Sequence, residues 1–163
     1  MGKVKVMICN FEELPSLVKQ VFSRNKPKPC SWYEMSELER QLGFNLPRMY
    51  RDIFSRMGHG AEDFWAGEDC FYKHLPLIQI WAKELLTEDS FPLSLPNDAF
   101  VFFMHQGYQF NFFKLSEGDN PPVYSYLEGQ SEREFIKTYD KFTDFFCAEV
   151  EYFNKHSTQL LAA

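Results

Sequence analysis

Residues 42–60 read LGFNLPRMYRDIFSRMGHG, and their pattern decides the fold class of the chain around them. Leu42-Gly43 ends one helix, because glycine readily takes the left-handed conformation found at helix C-termini. Leu46-Pro47 begins another, since proline lacks an N–H that the first helical turn leaves unpaired anyway. Tyr50, Ile53, Phe54 and Met57 then follow at i, i+3, i+4, i+7, the spacing of a buried helical stripe. Arg48, Arg51, Asp52 and Arg56 lie off that stripe, and Gly58 and Gly60 stop the helix.

Toward the N-terminus, Ser31 and Glu34 have capping-box spacing. Trp32, Met35, Leu38 and Leu42 then fall on one face of the helix that Gly43 ends. Residues 25–30 (NKPKPC) carry two prolines two apart, which resist helix and favour a linker. Residues 11–24 suit a short helix with Pro15 in its first turn. Residues 1–30 are therefore read as a helical appendage and linker. Residues 31–155 form the main domain, and residues 156–163 a tail.

Toward the C-terminus, residues 61–72 read as loop with one or two short strands. A helix is expected over residues 78–86, with Ile78, Trp81, Ala82, Leu85 and Leu86 on one side. Residues 93–98 (LSLPND) make a turn. Residues 99–104 (AFVFFM) are apolar throughout, as a central strand covered on both faces should be. His105-Gln106-Gly107 is a tight turn. Residues 108–115 partly alternate, with Tyr108, Phe110 and Phe112 on one face. Residues 123–127 (VYSYL) form a third strand, and residues 135–138 add a short fourth. Short loops cannot join parallel strands, so the sheet is an antiparallel meander. A closing helix over residues 141–153 shows Phe142, Phe145, Phe146, Val150 and Phe153 on one face. The fold class is thus α+β, with helices packed on one face of an antiparallel, meander-like sheet. The other face is left for solvent or a partner.

Composition narrows the function classes. Of the 163 residues, 18% are aromatic, and rings this abundant belong in a core or an interface. The net charge is −6, which argues against a nucleic-acid binder held by phosphate contacts. The charge is uneven. Residues 1–28 hold six bases and two acids, so +4, and the remaining residues carry −10. An acidic body attracts basic partners. The aromatic strands do not make an RNA-stacking platform, because Lys114 is the only base between Phe100 and Leu115.

Cys9, Cys30, Cys70 and Cys147 are widely spaced and form neither a zinc motif nor a disulfide framework. Buried free thiols in a reducing compartment are the simplest account. Lys3, Lys5, Glu12 and Glu13 interrupt any apolar run, so no secretory signal is expected, and no apolar run is long enough to span a bilayer. A cytoplasmic protein without cofactor or metal follows.

Catalytic motifs are missing: no P-loop, GxGxxG, HExxH or GxSxG. A hydrolase would pair His59 or His105 with an acid such as Asp63 or Asp98. Cys70 and His74 could face each other only on a helix, and their surroundings read as loop or strand. Turn or surface roles explain these histidines better. Glu62, Asp63, Phe64, Trp65, Glu68 and Asp69 form EDFWAGED, with acids around two large rings and no base. Such a segment can dock a basic surface. Alternatively, Phe64 and Trp65 are core residues at a strand start.

Residues 42–60 resemble the SUKH superfamily, and specifically its Smi–Knr branch of cell-wall-assembly or glucan-synthesis-regulator-like proteins. The matching elements are Leu42-Gly43, Leu46-Pro47, the helix from Tyr50 to Met57, and the corner at Gly58 and Gly60. AFVFFMHQG (99–107), PPVYSY (121–126) and KFTDFF (141–146) resemble later pieces of the family, in order. The likeness covers residues 31–153. The family corner often reads Asn-Gly-Gly, so Met57-Gly58-His59-Gly60 is a variant, and residues before Ser31 fall outside the pattern.

The resemblance implies an α+β fold and a non-enzymatic role. Many bacterial relatives look like immunity proteins that neutralise toxins, often nucleases. A fungal branch is similar to regulators of cell-wall glucan synthesis. No catalytic residue carries over, and the partner surface varies. The expectation is a protein-binding module, an immunity protein whose partner is a toxin domain with a basic surface. The alternatives are a regulator or scaffold linked to glucan synthesis, or a hydrolase using His59 or His105. No nucleic-acid or membrane partner is expected, and a homodimer is possible.

Overall fold

The computed structural model describes residues 7–161, with side chains described through Ser157. Residues 1–6, on which part of the leader reading falls, and residues 162–163 lie outside it.

A single 3-10 turn at Phe11–Glu13 leads into α1 (Ser16–Arg24). Then α2 (Trp32–Leu42) starts at the expected cap. Glu34 N–H donates to Ser31 Oγ at 3.2 Å, and Ser31 N–H donates to Glu34 Oε2 at 2.8 Å. Gly43, at φ 74°, closes this helix. Next, α3 (Arg48–Met57) buries Met49, Tyr50, Ile53, Phe54 and Met57, the expected stripe plus one residue. The Tyr50 ring sits among Phe54, Phe100, Phe102, Phe113 and Phe142, with centroids 5.0–6.2 Å away.

Two tryptophans depart from their expected stripes. Trp32 is 76% exposed. As the first residue of α2, its side chain leans back past the helix start, beyond the surface that Met35 and Leu38 cover. Trp81 lies on α4 (Leu75–Glu88), at the rim of a stripe made by Leu75, Ile78, Ala82, Leu85 and Leu86, and is 38% exposed. Residues 61–72 make no named strand. Their backbone is tied to the rest of the chain by an isolated bridge of Asp69 with Met104 and by Tyr72 N–H donating to the Gly58 carbonyl, and just before them Lys28 bridges Gly60.

The sheet runs β1 (Ala99–His105), β2 (Gln109–Lys114), β3 (Val123–Leu127), β4 (Ile136–Tyr139), antiparallel and in sequence order. The first hairpin closes as expected. Gln106 and Gly107 are left-handed at φ 47° and 77°, and Tyr108 N–H donates to the His105 carbonyl.

The register sorts the rings by face. Phe110 pairs with Tyr126 and Phe112 with Tyr124 on one side, where Phe91 and Phe135 close over them. Phe113 pairs with Phe100 on the other side, against Tyr50 of α3 and Phe142 of α5 (Phe142–Leu161). Both faces of β1 and β2 are therefore covered, and the open second face expected from the sequence is filled by Phe91, Phe135 and their neighbours.

The apolar strand β1 is at the edge of the sheet, not at its centre. It tolerates that place because its outer backbone is occupied. Gln79 of α4 accepts from Val101 N–H at 3.0 Å and donates to the Val101 carbonyl at 2.6 Å. Asp69 and Met104 exchange two backbone hydrogen bonds, each 3.0 Å. An edge sealed this way offers no template for another strand.

The closing helix α5 continues to Leu161, about two turns beyond the expected end at residue 153, and takes in residues 156–161. Its face of Phe142, Phe145, Phe146 and Val150 is buried as expected. The N-terminal segment packs here too. Phe11, Leu14, Val18, Val21 and Phe22 are buried in the same core, with Phe22 edge-on to Phe146 at 5.9 Å. Among the described residues, no helix is long and apolar enough to cross a membrane.

Candidate functional site

The corner after α3 is built from backbone. Lys28 N–H donates to the Gly60 carbonyl at 2.8 Å, His59 N–H to the Lys28 carbonyl at 3.1 Å, and Tyr72 N–H to the Gly58 carbonyl at 2.7 Å. Gly58 is required by space: a Cβ there would stand 2.4 Å from Cys30 Cβ.

The acidic loop leaves this corner in an unusual conformation. Glu62 and Trp65 are left-handed at φ 46° and 58°. Such backbone costs of order 1–3 kcal/mol per non-glycine residue and persists only where its surroundings hold it. Here the holding groups are aromatic. Phe64 is 1% exposed and stacks on Trp65 with centroids 4.6 Å apart. Trp65 is half-buried, meets Phe103 edge-on, and donates from Nε1 to Glu149 Oε2 at 3.0 Å.

The six residues singled out from the sequence thus divide into two groups. Phe64 and Trp65 face inward and brace the loop, so neither ring stands free as an anchor. The acids face outward to different degrees. Glu62 and Asp63 are exposed, with Lys26 Nζ 3.5 Å from Glu62 Oε1. Glu68 lies 2.8 Å from His105 Nδ1, and Asp69 lies 3.6 Å from His74 Nε2.

Two grooves flank the loop, and Glu68 lines both. One, of about 440 Å³, lies between the sheet and α5, with Glu68, His105, Asn111, Ser125 and Glu149 on its walls. Burial raises the Glu149 carboxyl above its ordinary range, against the opposing effect of the Trp65 hydrogen bond. The other groove, of about 520 Å³, is lined by Lys28, His59, Glu62, Glu68, Asp69 and His74 among others.

Neither candidate catalytic histidine meets its expected acid. Instead of Asp63 or Asp98, His59 Nε2 lies 2.8 Å from Glu34 Oε1, and His105 pairs with Glu68. Asp98 binds Ser116. Cys30 stands beside Glu34 and His59, but burial and the nearby Glu34 charge push its thiol up to about 12. An activated nucleophile needs the opposite shift. Cys70 is buried with its thiol likewise raised.

The grouping of Cys30, Glu34 and His59 is what the sequence reading missed. One ligating atom from each lies within 4.8 Å of the others. The short Cys30-to-Glu34 spacing gave a partial signal. His59, 25 residues after Glu34, gave none, because the corner that brings it back is formed by long-range backbone contacts.

A family described as SUKH_6, SMI1-KNR4 cell-wall, has a model that matches residues 33–146. The chain belongs to that family, the one its Leu-Gly, Leu-Pro and Gly-corner elements resembled. No curated protein matches the chain.

Proposed function

We propose that this chain is an immunity protein, a non-enzymatic module that binds and neutralises a toxin domain carrying a basic surface. Family membership is the observation that carries this reading. The charge distribution supports it: the chain beyond residue 28 carries −10, and one braced loop carries four acids, of which Glu62 and Asp63 are exposed. We assign the contact surface to Glu62, Asp63, Glu68 and Asp69, with Phe64 and Trp65 holding the loop in shape. A loop already held in one conformation loses little entropy when a partner docks. Opposite charge across an interface speeds encounter, which suits an inhibitor that must outpace its target. Such a protein acts in the cytoplasm of the cell it protects.

The description of the family as cell-wall favours a second reading, a regulatory or scaffold protein of envelope glucan synthesis. Co-expression separates the two. An immunity protein restores growth to cells producing its cognate toxin and forms a complex with it. A regulator leaves toxin killing unchanged and alters envelope glucan when deleted.

A further inference from the structure

We propose that Cys30, Glu34 and His59 form a binding site for a single Zn²⁺ ion at the junction of α2 with the corner after α3. The ligand set is the first argument. A thiol, an imidazole and a carboxylate suit a borderline-soft divalent ion, whereas Ca²⁺ and Mg²⁺ take oxygen ligands. Proximity is the second. The three ligating atoms lie within 4.8 Å of one another, and His59 Nε2 is 2.8 Å from Glu34 Oε1. Tetrahedral zinc holds its ligands at about 2.0–2.3 Å, so neighbouring ligand atoms sit roughly 3.3–3.8 Å apart. The side chains therefore need shifts of only an ångström or so.

Each ligand is also positioned by a neighbour, as metal ligands usually are. Cys30 N–H donates to the Ser55 carbonyl at 2.8 Å, which fixes the chain two residues before α2 against α3. Glu34 Oε2 is held by Ser31 N–H, leaving Oε1 directed at His59. The His59 backbone is tied to Lys28, and its ring lies edge-on to Tyr72 at 5.4 Å. Gly58 clears the space beside Cys30 that any side chain would fill.

Three protein ligands leave a fourth position. His59 lines the 520 Å³ groove, and a water molecule supplies the fourth ligand, as at open zinc sites. On binding, the thiol proton of Cys30 passes to solvent and the sulfur ligates as thiolate. The ion then pins the start of α2 to the end of α3. Through the Lys28–Gly60 bridge it also fastens the segment that leads back to α1.

Cobalt is the direct probe, because a thiolate-bound tetrahedral Co²⁺ shows a charge-transfer band and intense visible bands. Chelator-stripped full-length protein is titrated with Co²⁺ and then Zn²⁺, with thermal unfolding followed in parallel. The expected result is one Co²⁺ per chain with the charge-transfer band, bleached by one equivalent of Zn²⁺, and a Tm that rises by several degrees at saturating Zn²⁺. C30S abolishes the band, and H59A weakens binding at least tenfold. A C9A/C147A double variant binds as the parent does. Circular dichroism of the metal-free variants checks that each is folded. No charge-transfer band in the parent overturns the proposal. So does a band that survives C30S, or one lost when Cys9 and Cys147 are replaced.

Discussion

Replacing Gln79 with Met tests the seal on the edge strand. Methionine matches glutamine in length, so packing changes little, but the amide is gone. Val101 N–H and the Val101 carbonyl then lose their partners, both on a fully buried residue. Each buried backbone group left unpaired costs about 1–3 kcal/mol, so Q79M should destabilise the protein by about 2–5 kcal/mol. For a chain of this length, each kcal/mol lowers Tm by about 2–4 °C, giving a fall of roughly 4–20 °C. Thermal and urea unfolding measured by circular dichroism read this directly. Q79E sharpens the test. Its carboxylate still accepts from Val101 N–H but faces the carbonyl without a proton to donate. Lowering the pH until that carboxyl protonates restores the donor, so the Q79E deficit should shrink in acid while the Q79M deficit does not. If both variants melt within about 2 °C of the parent, the account of how β1 survives at the edge is wrong.

Three further outcomes are expected. Gly58→Ala puts a Cβ 2.4 Å from Cys30 Cβ and should lower stability by about 1–3 kcal/mol, read as a shifted urea midpoint at unchanged slope. Trp32→Ala removes a ring that is 76% exposed and should change stability by under about 0.5 kcal/mol, whereas a core tryptophan would cost about 3–5. Glu149→Gln should raise Tm at pH 7. The Glu149 pKa is raised in the fold, so its contribution to stability is greatest below the unfolded carboxylate value and is lost as pH rises through the folded one. The Gln variant escapes that loss and still accepts from Trp65, so the difference should vanish when the parent is melted below pH 4.5, the ordinary glutamate value. A difference independent of pH contradicts it.

The helices flanking residues 42–60 were legible because their signals are local. The Ser31–Glu34 cap, the Gly43 terminus and the Tyr50–Met57 stripe each lie within one helix and its ends. The meander was legible from short loops. The place of β1 was not: an apolar strand reads as central, and the residue that lets it sit at the edge, Gln79, lies 22 positions earlier on a helix. Trp32 and Trp81 misled because a helical stripe does not reveal where the opposing surface ends. In the candidate site, the acids of residues 62–69 were visible as composition, but the bracing of their loop was not. Trp65 is held by Glu149, 84 residues away, and Glu68 faces His105 across the sheet end.

The proposed function is tested most directly by co-expressing this chain with its cognate toxin domain, isolated as a direct cross-linked partner, and comparing it with an E62K/D63K variant. The account predicts that the parent protein restores growth and binds the toxin. It also predicts that the charge-reversed protein stays folded but associates about tenfold or more slowly, with a weaker dependence on salt. A parent that gives no protection contradicts the immunity assignment. A variant that associates as fast as the parent contradicts the placement of the interface on the acidic loop.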